Sequence, residues 1–123
     1  MYRGYVKLWR KVLDEGWIKN HKLWVFWTYC LLKATHKEYN ATVGYQIESL
    51  LPGQFIAGLR KASEETGLTI SEIRTILKFL QRNECLTIKT TNKYSIFTLV
   101  NWNKYQSKEA DDDRKKNKQG TNE

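Results

Sequence analysis

Apolar side chains recur at helical spacing most clearly between about residues 22 and 37. In this segment they occupy positions i, i+3, i+4, i+7, i+8 and i+11, namely Leu23, Phe26, Trp27, Cys30, Leu31 and Ala34. The opposite side of the predicted helix is also apolar, which is consistent with a central core helix or with a homodimer interface. We favour the core position. A shorter helix is predicted near residues 9–15, ended by Gly16.

Two further helices are predicted on either side of Gly67, over about residues 59–66 and 69–84. Gly67 suits the left-handed conformation that often follows a helix. The next helix begins with Thr69-Ile70-Ser71-Glu72, the pattern of a capping box, in which Thr69 and Glu72 each accept a backbone N–H of the other. The residues expected to face inward are Leu68, Ile73, Leu77 and Leu80.

Extended structure is predicted in two regions. Residues 43–57 contain the turn signal Pro52-Gly53 and should form a short β-hairpin or an extended arm. Residues 86–90 and 94–99 alternate as two strands of a second hairpin. We therefore predict an α+β domain over residues 1–106, followed by a disordered charged tail over 107–123, which has no large apolar residue.

The order of a helix, a tight glycine turn, a capped helix and a β-hairpin is typical of the winged helix-turn-helix. The helix over residues 69–84 would then enter the major groove of double-stranded DNA, which is wide enough for a helix and distinguishes all four base pairs. The hairpin would serve as the wing beside it.

Polar and basic side chains on three elements are the candidate DNA contacts. Arg74 is the best candidate for a bidentate contact to guanine, because it lies near the helix start with Ser71 and Thr75. Phosphate contacts are expected from residues further along this helix, on the preceding helix and on the wing. The full predicted set is Arg60, Lys61, Thr69, Ser71, Arg74, Thr75, Lys78, Arg82, Lys89, Asn92 and Lys93. An ordinary solvated face and lysine protection of an edge strand are the alternatives for these residues.

The distribution of charge favours a polyanionic partner. The formal net charge is +8, and residues 107–123 carry five basic and five acidic groups, so the whole excess belongs to residues 1–106. A body this basic suits nucleic acid first and an anionic membrane surface second.

Enzyme activity, a cofactor and a metal site are not expected. The sequence contains no GxSxG, GxxxxGK[ST] or GxGxxG motif, and His21 and His36 are isolated. Cys30 and Cys85 have no ligand-like spacing, and the longest dense apolar stretch, residues 23–32, is too short to span a bilayer. With no recognisable signal peptide, we expect a cytoplasmic protein without membrane contact.

Two sequence stretches carry a family resemblance, Leu51-Pro-Gly-Gln-Phe-Ile56 and the run from Ile88-Lys-Thr-Thr-Asn-Lys-Tyr94 to Val100-Asn-Trp-Asn-Lys-Tyr-Gln106. With the helices between them, they resemble the N-terminal domain of phage replisome organiser proteins, which are related to DnaD-like primosomal proteins. The resemblance covers nearly all of residues 1–106. It implies origin binding in phage or prophage replication and recruitment of a helicase loader. Fuller members carry a further C-terminal helical domain, and Ile70 and Glu72 replace more polar or basic residues.

Three classes of function follow from the sequence. The resemblance favours a replication initiator. A phage or plasmid transcriptional regulator would use the same module, because a fold does not settle a function. A winged-helix protein-interaction module would use the aromatic helix or the wing to bind another protein.

Overall fold

The structure is a computed structural model that describes residues 5–91 and 94–106, apart from the side chains of Asn103 and Tyr105. The chain folds as α+β, with the helices α1 (Lys11–Asp14), α2 (His21–Lys33), α3 (Leu59–Thr66), α4 (Ile70–Arg82) and α5 (Trp102–Gln106), and a 3-10 turn at Trp17–Lys19. The strands are β1 (Tyr39–Val43), β2 (Gln46–Leu50), β3 (Gln54–Ala57), β4 (Leu86–Thr90) and β5 (Ser95–Leu99). The tail predicted over 107–123 lies outside the described residues.

Helix α2 lies in the core, as its periodicity predicted. Its buried face consists of Leu23, Phe26, Cys30 and Leu31. The helix ends four residues earlier than predicted, because Ala34 is already extended. The next residue, Thr35, exchanges backbone hydrogen bonds with the start of β3. Its N–H donates to the Gln54 carbonyl, and its carbonyl accepts from the Gly53 N–H. The helix therefore ends before the apolar pattern does, because Thr35 pairs with Gly53 and Gln54.

Strands β1 and β2 form a separate antiparallel hairpin, whose turn lies earlier in the chain than the sequence predicted. Val43 pairs with Gln46, so the hairpin turn lies at Gly44-Tyr45. Gly44 has a φ of +62° and interrupts the extended segment predicted over residues 43–57. Pro52-Gly53 is also a turn, as predicted, with the Gln54 N–H donating to the Leu51 carbonyl at 3.0 Å. Pro52-Gly53 instead connects this hairpin to β3, which belongs to the other sheet.

The segment from α3 to α4 agrees with the sequence in detail. Gly67 is left-handed with a φ of +80°, and its N–H donates to the Ser63 carbonyl. Helix α4 begins with the predicted capping box at Thr69. Its buried residues are Ile73, Ile76, Leu77 and Leu80, of which Ile76 was not among the predicted inward positions. The glycine turn therefore joins two helices that pack on a shared core.

The second sheet has three antiparallel strands in the order β3-β5-β4. The hairpin of β4 and β5 was predicted, whereas the pairing of β3 with β5 was not. Gly53 precedes β3 with a φ of +90°, and a Cβ atom there would lie 2.6 Å from Trp102 Cβ. Glycine at this position therefore permits α5, which was also not predicted, to close against the sheet.

Candidate nucleic-acid interface

Helix α4 has a polar face opposite its buried face. The exposed side chains on it are Ser71, Arg74, Thr75, Lys78 and Arg82. At 3.6 residues per turn these five positions fall within an arc of about 100°, nearly opposite the arc of the four buried residues. The packing of the core thus brings together all five α4 residues that the sequence nominated.

The capping box fixes the start of α4 and engages its acidic residue. The Glu72 backbone N–H donates to Thr69 Oγ1 at 3.1 Å, and the Thr69 N–H donates to Glu72 Oε1 at 2.9 Å. The second carboxylate oxygen of Glu72 forms a salt bridge with Lys22, at the start of α2. These contacts lower the pKa of Glu72 to about 2, and the contact with Lys22 has the largest effect. The negative charge near the outward face is therefore paired with a cation.

Lys22 is a basic residue of this region that sequence reasoning missed. It lies 50 positions before Glu72 in the chain, so local pattern gives no sign of the pairing. The salt bridge places the N-terminal end of α2 beside that of α4. The start of α2 therefore borders the candidate interface, with the charge of Lys22 offset by Glu72.

The first turns of α4 carry side chains of different hydrogen-bonding capacity. Arg74 is exposed, and its guanidinium group offers a planar fork of donors. The Thr75 hydroxyl donates to the Ser71 carbonyl at 3.2 Å, so this hydroxyl has its oxygen lone pairs to offer to another molecule. The Thr69 hydroxyl is engaged within the cap, since its oxygen accepts the Glu72 N–H and the hydroxyl also interacts with the Glu72 carboxylate.

Two apolar residues lie at the edges of the polar face, and each is 37% exposed. Ile70 lies in the first turn. Phe79 packs edge-on against Trp17, with the ring centroids 5.9 Å apart. The structure thus places Phe79 against the N-terminal segment. Phe79 is therefore part of a neighbouring aromatic cluster.

Arg60 and Lys61 are both exposed on α3. Lys61 lies close enough to Glu65 to lower the pKa of that carboxyl group, although a hydrogen bond from the Tyr29 hydroxyl has the largest effect. Lys33 also contacts Glu65, at 3.6 Å. The charge of Lys61 is therefore partly offset, while Arg60 remains an exposed candidate for phosphate.

Lys89 is the candidate on the second sheet that the structure describes. It is exposed on β4 and stands opposite Ile96 of β5. The other two predicted hairpin contacts, Asn92 and Lys93, lie outside the described residues. Thr91 and Tyr94 flank them, and the Thr91 N–H donates to the Tyr94 carbonyl at 2.8 Å, so the two strands are joined up to this point.

Comparisons with known proteins identify no relative. No family model, no curated protein and no solved structure matches the chain.

Two further observations concern other kinds of site. Across residues 5–91 and 94–106, no helix has the length and apolar character needed to cross a membrane. Within the same part of the chain, His, Cys, Asp and Glu residues form no group of three or more that could hold a metal ion.

Proposed function

We propose that this protein binds double-stranded DNA as a winged helix-turn-helix, with α4 in the major groove and the β4–β5 hairpin as the wing. The observation that carries this proposal is the outward face of α4. Its two arginines and one lysine share an arc with two hydroxyl residues, and Glu72, the one acidic residue of the helix, is paired with Lys22. A basic helix face of this kind suits a polyanion.

The position of each residue along α4 decides whether we assign it to base reading or to phosphate contact. Residues in the first turns of a recognition helix reach base edges, so Ser71, Arg74 and Thr75 are assigned to sequence reading. Arg74 would form two parallel hydrogen bonds to guanine O6 and N7. Lys78 and Arg82 lie further along the helix and are assigned to phosphates, which position a protein without reading sequence.

Arg60, Lys61 and Lys89 are assigned to the phosphates that flank the groove. The free N–H groups at the start of α4, next to Thr69, can receive another phosphate, because a helix N-terminus carries partial positive charge. The same function is proposed for Asn92 and Lys93 on the basis of sequence alone.

The proposed cellular role is origin recognition in phage or prophage replication, and the resemblance stated above supports it. Footprinting on the parent genome separates this role from transcriptional regulation. Protected direct repeats clustered within an origin are expected. Protection of a single palindrome in a promoter would favour the regulator instead.

Salt titration of binding to a labelled duplex tests DNA binding itself. Each phosphate contact contributes about −0.9 to the slope of log K against log salt, so five or six contacts predict a slope near −5. Fluorescence anisotropy between about 50 and 200 mM salt measures it. A flat response would reject the proposed interface and favour a protein-interaction module.

Two single substitutions test which residues read bases and which contact phosphates. Arg74→Ala should weaken binding to the preferred duplex by about 5- to 150-fold, as expected for 1–3 kcal/mol of base discrimination, and weaken binding to random duplex much less. Lys89→Ala should weaken binding to both duplexes alike. Equal losses for Arg74→Ala on both duplexes would remove Arg74 from sequence reading.

A further inference from the structure

All five tryptophans of the chain line one cavity on the side of the molecule that contains both ends of the described chain. The cavity has a volume of about 350 Å³ and also receives Phe79 from the outer side of α4. The five are Trp9, Trp17, Trp24, Trp27 and Trp102. We infer that this cavity is a binding site for an uncharged, planar aromatic molecule.

The cavity leaves apolar surface in contact with water. Only Trp102 of the five tryptophans is fully buried, and the other four are half-buried around the opening. Trp17 packs edge-on against Trp27, with centroids 5.3 Å apart and planes at 83°. A bound aromatic ring would extend this edge-to-face arrangement and remove tryptophan surface from water.

The walls of the cavity are already formed. The Lys7 N–H donates to Gln106 Oε1, and Gln106 Nε2 donates to the Lys7 carbonyl, both at 2.7 Å. These reciprocal bonds hold the N-terminal segment against α5, and both residues line the cavity. Among the described residues, the two non-glycine residues with positive φ, Glu84 and Asn101, also line it. Such constrained turns are maintained by surrounding structure, so a ligand would not have to order the site.

The charge and the size of the cavity further restrict the ligand. The charged residues of the lining are Lys7, Lys11, Glu15 and Glu84, two of each sign, and Lys11 and Glu15 lie 3.7 Å apart as an ion pair. The formal charges of the lining therefore sum to zero. Because tryptophan faces also attract cations, tighter binding of a quaternary ammonium probe than of benzyl alcohol would contradict an uncharged ligand. The volume falls in the range of small-molecule sites, which combine apolar walls with a few polar groups. Asn83, Asn101 and Gln106 supply such groups here.

Benzyl alcohol and cyclohexylmethanol are a suitable pair of probes, since they differ only in whether the ring is aromatic. The indole N–H signals of the tryptophans, followed by NMR during titration of the full chain, should shift saturably with benzyl alcohol at a Kd of about 1 mM or below. Binding of cyclohexylmethanol should be about 2- to 12-fold weaker, the range expected for aromatic pairing. Equal affinities would contradict the aromatic specificity, and linear, unsaturated shifts would reject the site.

Cys85 provides a second readout, because it lines the cavity and is half-buried, whereas Cys30 is fully buried. Burial raises the pKa of the Cys30 thiol and so makes it an internal reference of low reactivity. Saturating benzyl alcohol should slow alkylation of Cys85 by iodoacetamide at least threefold. An unchanged rate would contradict occupancy of the cavity.

A pair of exposed leucines supplies the matched variants. Leu8 lines the cavity and is 57% exposed, and Leu32 lies on α2 outside the lining and is 68% exposed. Leu8→Asp should weaken binding of benzyl alcohol at least fivefold, while Leu32→Asp should leave it unchanged. Equal effects of the two substitutions would place the bound probe elsewhere.

Discussion

The capping box of α4 makes a definite prediction about stability. Thr69→Ala removes the hydroxyl oxygen that accepts the Glu72 N–H at 3.1 Å. It leaves the reciprocal bond, from the Thr69 N–H to Glu72 Oε1, available because that donor is backbone. The substitution therefore removes one of the two cap hydrogen bonds.

The expected cost is about 1 kcal/mol, the typical value for replacing a threonine N-cap by alanine. The exposed N-terminal turn of α4 receives water once the cap is lost, so the cost should not reach that of an unsatisfied buried donor. For a folded region of about 100 residues, 1 kcal/mol corresponds to a fall in Tm of about 4–8 °C.

Thermal unfolding followed by circular dichroism at pH 7 measures this effect. Thr69→Ser, which retains the cap oxygen, should recover most of the lost stability. Thr75→Ala is the matched control, because the Thr75 hydroxyl is exposed within the helix and donates to the Ser71 carbonyl without capping an end. It should change stability by less than about 0.5 kcal/mol. An equal fall in Tm for Thr69→Ala and Thr75→Ala would refute the role assigned to the cap.

Three other perturbations have expected outcomes. Because the pKa of Glu72 is lowered from 4.5 to about 2, its charged form stabilises the fold above pH 4.5, and this contribution disappears as the pH falls towards 2. The difference in Tm between wild type and Glu72→Gln should therefore be constant above about pH 5.5 and shrink between about pH 4.5 and 2. A constant difference at all pH values would contradict this role of Glu72. Gly53→Ala should lower the free energy of unfolding by at least about 2 kcal/mol in chemical denaturation, because the new Cβ meets Trp102 and the φ is +90°. Gly58→Ala, whose Cβ would lie in open space, should lower it by less than about 1 kcal/mol. Similar losses for the two variants would argue against the close approach of Gly53 to Trp102. Glu84 lies after α4 in the left-handed conformation, with a φ of +59°, so Glu84→Gly should stabilise the protein by about 0.5–1 kcal/mol. Glu64→Gly within α3 should instead destabilise it by about 1 kcal/mol. Destabilisation by both substitutions would contradict backbone strain at Glu84.

The sequence predicts well those features that depend on neighbours along the chain. Gly67, the capping box and three of the four buried residues of α4 follow from spacings of four residues or fewer, and each is confirmed. The outward face of α4 follows from the same periodicity. The hairpin of β4 and β5 is predicted for a similar reason, since its strands alternate and are separated by a short connection.

Contacts between distant parts of the chain are not predicted. Nothing local distinguishes β3 as a partner of β5, with Phe55 opposite Phe97, from the strand of a local hairpin. The turn at Gly44 was missed because Pro52-Gly53 is the stronger local signal. Lys22 beside Glu72 and the cavity that gathers the tryptophans likewise depend on tertiary packing.

Mapping the duplex-binding surface of the protein by NMR would show whether α4 contacts DNA. Backbone amide signals of the full chain would be followed during titration with the duplex found by footprinting. The largest shifts should fall on the first turns of α4, around Ser71, Arg74 and Thr75, with smaller ones on α3 and on β4 near Lys89. Shifts confined to the β1–β2 hairpin or to the tryptophan cavity would contradict the account.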